Sequence, residues 1–122
     1  MANILQISGQ VTLTNTNLRN IGTLTTNLTT TGSNNVSNVA NITTGSWSTI
    51  SQGSNADFRW GYFVNLDSTS SVAIAINSSA SVASYLQPGD WCVLTYSGSP
   101  AIYASGSGAS GTILLQYILT EK

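Results

Sequence analysis

The sequence predicts an all-β protein, a two-sheet antiparallel sandwich preceded by an extended N-terminal arm. Ser, Thr and Asn supply 47 of the 122 residues and Gly 11 more. Such residues favour turns, caps and outward strand positions and are poor helix formers, which nearly excludes an all-helical chain. In the second part of the chain apolar residues alternate with a period of two, the pattern of half-buried strands. Turn chemistry separates these runs at intervals of roughly 8–12 residues with no strand–helix alternation, which points to a sandwich or barrel. Apolar residues make up 41% of the chain, enough for one domain with a core.

Composition changes near residue 45, so residues 1–45 are expected to form the Thr/Asn-rich arm with short strands and residues 46–122 the sandwich. In the arm, Ile4 to Ile7 and Val11 to Thr14 read as short strands around Ser8 and Gly9. Thr12 to Leu18 loosely echoes Thr23 to Leu28, but there is no third copy, and a solenoid needs at least three regular repeats. Leu18, Ile21, Leu24 and Leu28 also fit a helical spacing, against which the intervening Thr, Asn and Gly argue. The arm is therefore read as extended.

Nearly all the aromatic residues follow residue 45. Phe58, Trp60, Tyr62, Val64 and Leu66 alternate with Arg59, Gly61, Phe63, Asn65 and Asp67 in the clearest strand of the chain. Val72, Ile74 and Ile76 repeat the pattern after an Asp/Ser/Thr cluster at 67–71, so the two runs are expected to form a hairpin. Leu86 to Asp90 contains Pro88 and Gly89 in the order a type II turn requires, and a strand from Trp91 to Tyr96 should follow it. After a turn at Ser97 to Pro100, Ala101 to Ala104 is a short strand and Ser105 to Gly111 a flexible Gly/Ser loop. The last strand, Thr112 to Thr120, is expected to be central, with Ile113, Leu115, Tyr117 and Leu119 on one face.

Charge narrows the possible functions. Only seven side chains are charged (Arg19, Asp57, Arg59, Asp67, Asp90, Glu121 and Lys122), there is no histidine, and the net charge is −1. Three scattered cations make no patch for phosphates, so nucleic acid is not expected as a partner. No apolar run approaches the roughly 18 residues that span a bilayer, and Met1 to Asn3 does not open a secretion signal. The expectation is a soluble chain not exported by that route, with no membrane partner. The single cysteine, Cys92, has no partner for a disulfide or a zinc site and reads as a small buried hydrophobe.

Catalysis has little to work with. Without histidine, acid–base chemistry falls to four carboxylates, Lys122 and five tyrosines. A paired-carboxylate hydrolase is the scheme that survives. Asp67 and Asp90, however, sit in turn-like clusters where a carboxylate bonds its own backbone, and Asp57 and Arg59 are spaced to pair on one strand face. The glycine-rich stretch from Gly106 to Gly111 lacks the lysine and following helix of a phosphate cradle. Four Asn-x-Ser/Thr sequons, at Asn27, Asn35, Asn41 and Asn77, are about what chance supplies in this composition. Threonine triplets at 12–14 and 23–25 lack the fixed spacing of an ice-binding ladder. No enzymatic activity, cofactor or metal is expected.

What remains is contact chemistry. Trp47, Trp60 and Trp91 could fill a core or subunit interface, or form a shelf on which sugars stack. The arm exposes more apolar residues than a free tail usually shows, and neighbouring copies would cover them. The candidate interface residues are Leu5, Ile7, Leu13, Leu18, Trp47, Trp60 and Trp91.

Residues 46–122 resemble a group of small virion proteins of tailed bacteriophages. The resemblance rests on the Leu86 to Asp90 turn, the strand from Trp91 to Tyr96, the Ile102 to Ala104 strand, the Ser105 to Gly111 loop and the final Leu115 to Leu119 strand. It implies a jelly-roll-like β-sandwich, a homotrimer, and a role in capsid decoration (cement) or as a tail-associated structural part. The expected partners are other copies of the chain and the major capsid protein or another virion protein, with the virion as the location. The Thr/Asn-rich arm looks like phage fibre stems. A glycan-binding module of a phage tail is the alternative from a different class.

Overall fold

The computed structural model describes residues 3–10, 23–30, 35–53, 58–96, 98–108 and 111–121. These residues contain ten strands and no helix. By contacts the chain divides into two units, Met1–Ser33 and Asn34–Lys122.

The first unit is a hairpin of β1 (Asn3–Gln10) and β2 (Thr23–Thr30), paired antiparallel from Asn3↔Thr30 to Gln10↔Thr23. Leu5 pairs with Leu28, Ile7 with Thr26 and Gly9 with Leu24, so the positions of Leu5, Ile7, Leu24 and Leu28 share one side of the pleated ribbon. β1 runs through Ser8 and Gly9 without the expected break, and the strand expected at Val11 to Thr14 lies outside the described residues.

The second unit is a β-sandwich of two four-stranded antiparallel sheets. Its strands are β3 (Asn35–Thr43), β4 (Trp47–Thr49), β5 (Phe58–Asn65), β6 (Ser71–Ile76), β7 (Val82–Leu86), β8 (Trp91–Thr95), β9 (Ile102–Ser107) and β10 (Thr112–Glu121). The first sheet has the order β3-β10-β5-β8 and the second β4-β9-β6-β7. Every connection crosses between sheets except β6 to β7. Going inward from the two ends of the sandwich, β3 pairs with β10, β4 with β9, β5 with β8 and β6 with β7, as in one long ribbon rolled up on itself. The ribbon's tip is the β6–β7 turn, where Asn77 adopts φ 64° and the Ile76 N–H donates to the Ser81 carbonyl at 3.2 Å.

The core lies between the sheets. β10 is central in the first sheet, and its Ile113, Leu115, Tyr117 and Leu119 are buried on the face the sequence indicates. Ile42, Phe63, Val72, Ile74, Leu86 and Ile102 close around them. The Tyr117 hydroxyl reaches out of this apolar mass to donate to the Ser51 carbonyl at 3.0 Å.

Three expectations change, and the facing of β5 is settled. β3 lies ahead of the composition boundary near residue 45 and yet pairs with β10 along its whole length, because Val36, Ala40 and Ile42 give it one apolar side. The expected hairpin between the β5 and β6 runs does not form, since the segment after Asn65 carries the chain to the other sheet. The Gly/Ser stretch from Ser105 is strand as far as Ser107, where β9 pairs with β6, and Gly106 faces inward at a point where any Cβ would overlap Ile113. In β5 it is Gly61, Phe63 and Asn65 that face the core, whereas Trp60, Tyr62 and Val64 face outward and Leu66 is exposed.

Asn65 explains that facing. Its side chain is fully buried, and Nδ2 donates to the carbonyls of Ser70 (2.8 Å), Gln87 (3.1 Å) and Leu86 (3.2 Å). Oδ1 accepts the Asp67 N–H at 3.0 Å, and the main chain of Asn65 bonds both Gly89 and Asp90. One carboxamide thus satisfies backbone groups of the β5–β6 crossing and the β7–β8 turn, groups that would otherwise lie unpaired in the interior. The turn itself forms as expected, with φ 78° at Gly89 and the Asp90 N–H donating to the Gln87 carbonyl at 3.0 Å.

Candidate functional site

A sheet with one face on the core normally presents polar side chains on the other. The first sheet does so only in part. Its registers align Val39, Gln116, Val64 and Trp91 in one row across all four strands, and Ser37, Ile118, Tyr62 and Val93 in the next. Leu114 of β10, paired with Asn41, stands beside the first row. Neither row contains a charged residue, and Gln116, at the centre, is the one amide in them. Val39, Leu66, Trp91 and Leu114 are each about half exposed, from 46% for Val39 to 54% for Trp91. The Tyr62 and Trp91 rings lie 6.1 Å apart at 44°, a tilted pair that sets the indole against the sheet surface. Several apolar side chains are thus gathered on one face rather than scattered singly.

Of the candidate interface residues, Trp60 and Trp91 both belong to this face, on adjacent strands β5 and β8. Trp47 is on β4 in the second sheet, on its outer side. Leu5 and Ile7 are at register positions of the β1–β2 hairpin, and Leu13 and Leu18 lie outside the described residues. The sequence reading missed Val39, Leu66 and Leu114 as surface residues. A signal was present in β10, where Leu114 and Ile118 interrupt the alternation and make the strand apolar on both faces.

The titratable groups do other work. Asp67 Oδ1 accepts the N–H groups of Thr69 (2.8 Å) and Ser70 (2.7 Å), and these bonds hold its carboxyl below the usual range. Asp90 Oδ2 accepts the Gln87 N–H at 3.1 Å, clamping its own turn. Both carboxylates therefore bond local backbone, as their setting in the sequence indicates, while Asp57 lies outside the described residues. Cys92 is half-buried against the core rather than fully inside it, and burial raises its thiol against a weaker opposing bond to Ser84. Burial likewise raises the phenols of Tyr96 and Tyr117. Among the described residues no three His, Cys, Asp or Glu gather where they could hold a metal ion.

No protein family, curated protein or solved structure matches the chain.

Proposed function

We propose that the protein is a non-enzymatic structural component of a tailed-phage virion, a homotrimeric capsid decoration (cement) protein that stabilises the particle through contacts between its own copies and with a capsid protein. The observation that carries this reading is the uncharged, apolar outer face of the first sheet. A surface of valine, leucine, isoleucine and tryptophan without ionic groups suits burial against protein, and Trp91 at its edge is the kind of anchor that dominates such contacts.

Two further features support it. The rolled-ribbon strand order, with crossings everywhere but at β6–β7, fits the wiring of a jelly roll, an architecture that capsid proteins use. The β1–β2 hairpin, marginal in water as a two-stranded ribbon, gains cover when copies associate through the side bearing Leu5, Ile7, Leu24 and Leu28.

The test is quantitative mass spectrometry of purified particles from the phage that encodes the chain. Recovery at tens of copies per particle is the expected result. Presence in the infected-cell lysate with absence from the particles would overturn the proposal.

A further inference from the structure

The outer face of the second sheet has a different chemistry from that of the first. Trp47 of β4, Ser105 of β9, Ala73 of β6 and Tyr85 of β7 form one row across its four strands. Tyr103 lies two residues from Ser105 on the same side, paired with Thr49 and Ala75. The end members of the row are aromatic and on edge strands, whereas its middle members are small. With strands about 4.8 Å apart, Trp47 and Tyr85 stand roughly 14 Å from each other at the backbone, with the small residues Ser105 and Ala73 between them. Both rings reach solvent, Trp47 at 38% and Tyr85 at 69% exposure.

The composition of this face selects its ligand. β4, β6, β7 and β9 contain no charged residue, which removes any basis for holding phosphate, sulfate, a carboxylate or a cation. The exposed large hydrophobic residues of these strands are both aromatic, and hydroxyls surround them; those on the first sheet's outer face are chiefly aliphatic. An aliphatic surface offers a sugar no ring to stack on. Flat rings interspersed with neutral hydroxyls suit a sugar, whose C–H face stacks on an aromatic ring while its hydroxyls exchange hydrogen bonds at the margin.

We propose that the second sheet's outer face binds a neutral oligosaccharide, with Trp47, Tyr85 and Tyr103 as stacking platforms and the hydroxyls of Ser105 and Thr49 as hydrogen-bonding partners. The site uses none of the first sheet's face, so it stands or falls independently of the assembly role.

The test presents the full chain to an array of neutral hexose and N-acetylhexosamine oligosaccharides printed beside sialylated and sulfated ones. The expected result is binding confined to neutral glycans, weakened roughly tenfold by Tyr85→Ala and by Trp47→Ala. Ser79→Ala, in the exposed β6–β7 turn, should bind as the wild type does. Tyr85 is largely exposed, so its alanine variant is expected to keep the wild-type melting temperature and to report on the site even if Trp47→Ala unfolds. Absence of binding to every neutral glycan, preference for the charged ones, or binding unchanged by Tyr85→Ala would overturn the proposal.

Discussion

Asn65 shows how much one polar side chain can decide. A fully buried amide is tolerated because each of its polar atoms is paired, and the groups it pairs belong to two separate stretches of backbone. Asn65→Leu keeps the volume but leaves three carbonyls and the Asp67 N–H without this partner, and should cost about 3 kcal/mol. Thermal unfolding should show a fall of roughly 10 °C in Tm. The two buried phenols offer a finer contrast. Tyr117→Phe loses the bond to Ser51 and should cost about 1 kcal/mol, whereas the Tyr96 hydroxyl has no hydrogen-bond partner among the described residues, so Tyr96→Phe should be neutral or stabilising. Equal losses in the two variants, measured by denaturant unfolding, would contradict the assignment.

Among the elements, those written in strong chemical signals were the readable ones. The β7–β8 turn depends on Pro88 and on a glycine at φ 78°, and both are visible in the sequence. Gly89→Val forces a β-branched residue into that conformation and should cost about 1–3 kcal/mol even though a Cβ there would meet nothing within 4 Å. An unchanged Tm would show that the loss of backbone freedom is not what glycine supplies there. β10 was readable because its inward alternation is unbroken. β5 was readable as a strand but not in its facing: its bulkiest alternating set, Trp60, Tyr62, Val64 and Leu66, faces away from the core, and a period of two tells which residues share a side but not which side is buried. β3 was illegible because Asn, Ser and Ala predominate in it, and β7 because it is five residues long with Ala83 and Ser84 inside it, so that no apolar run marks either. Of the candidate site, the tryptophans were found by residue type. Their division between two opposite sheet faces depends on register, which only the fold supplies.

For the whole molecule, scarcity of charge sets the response to solution conditions. Asp67, held below its ordinary value by backbone N–H groups, stabilises the fold above pH 4 and ceases to do so as the pH falls through its folded value. Cys92, Tyr96 and Tyr117 are raised by burial, so stability should decline as the pH climbs past the ordinary thiol and phenol values of about 8.5 and 10. No histidine titrates between, and melting temperatures should be flat from about pH 5 to pH 8. Assembly through apolar surface should be equally indifferent to salt: 1 M sodium chloride shortens screening to about 3 Å, yet the protein should remain with the pelleted particle after dialysis. The most direct measurement for the assembly account is the mass of the purified full chain at micromolar concentration by light scattering, with Leu114→Asp beside it. The account predicts three times the chain mass for the wild type, and a smaller mass with unchanged circular dichroism for the variant, whose carboxylate falls among the exposed apolar side chains of that face. A wild-type chain that scatters as a monomer, or a variant that assembles as well as the wild type, would contradict it.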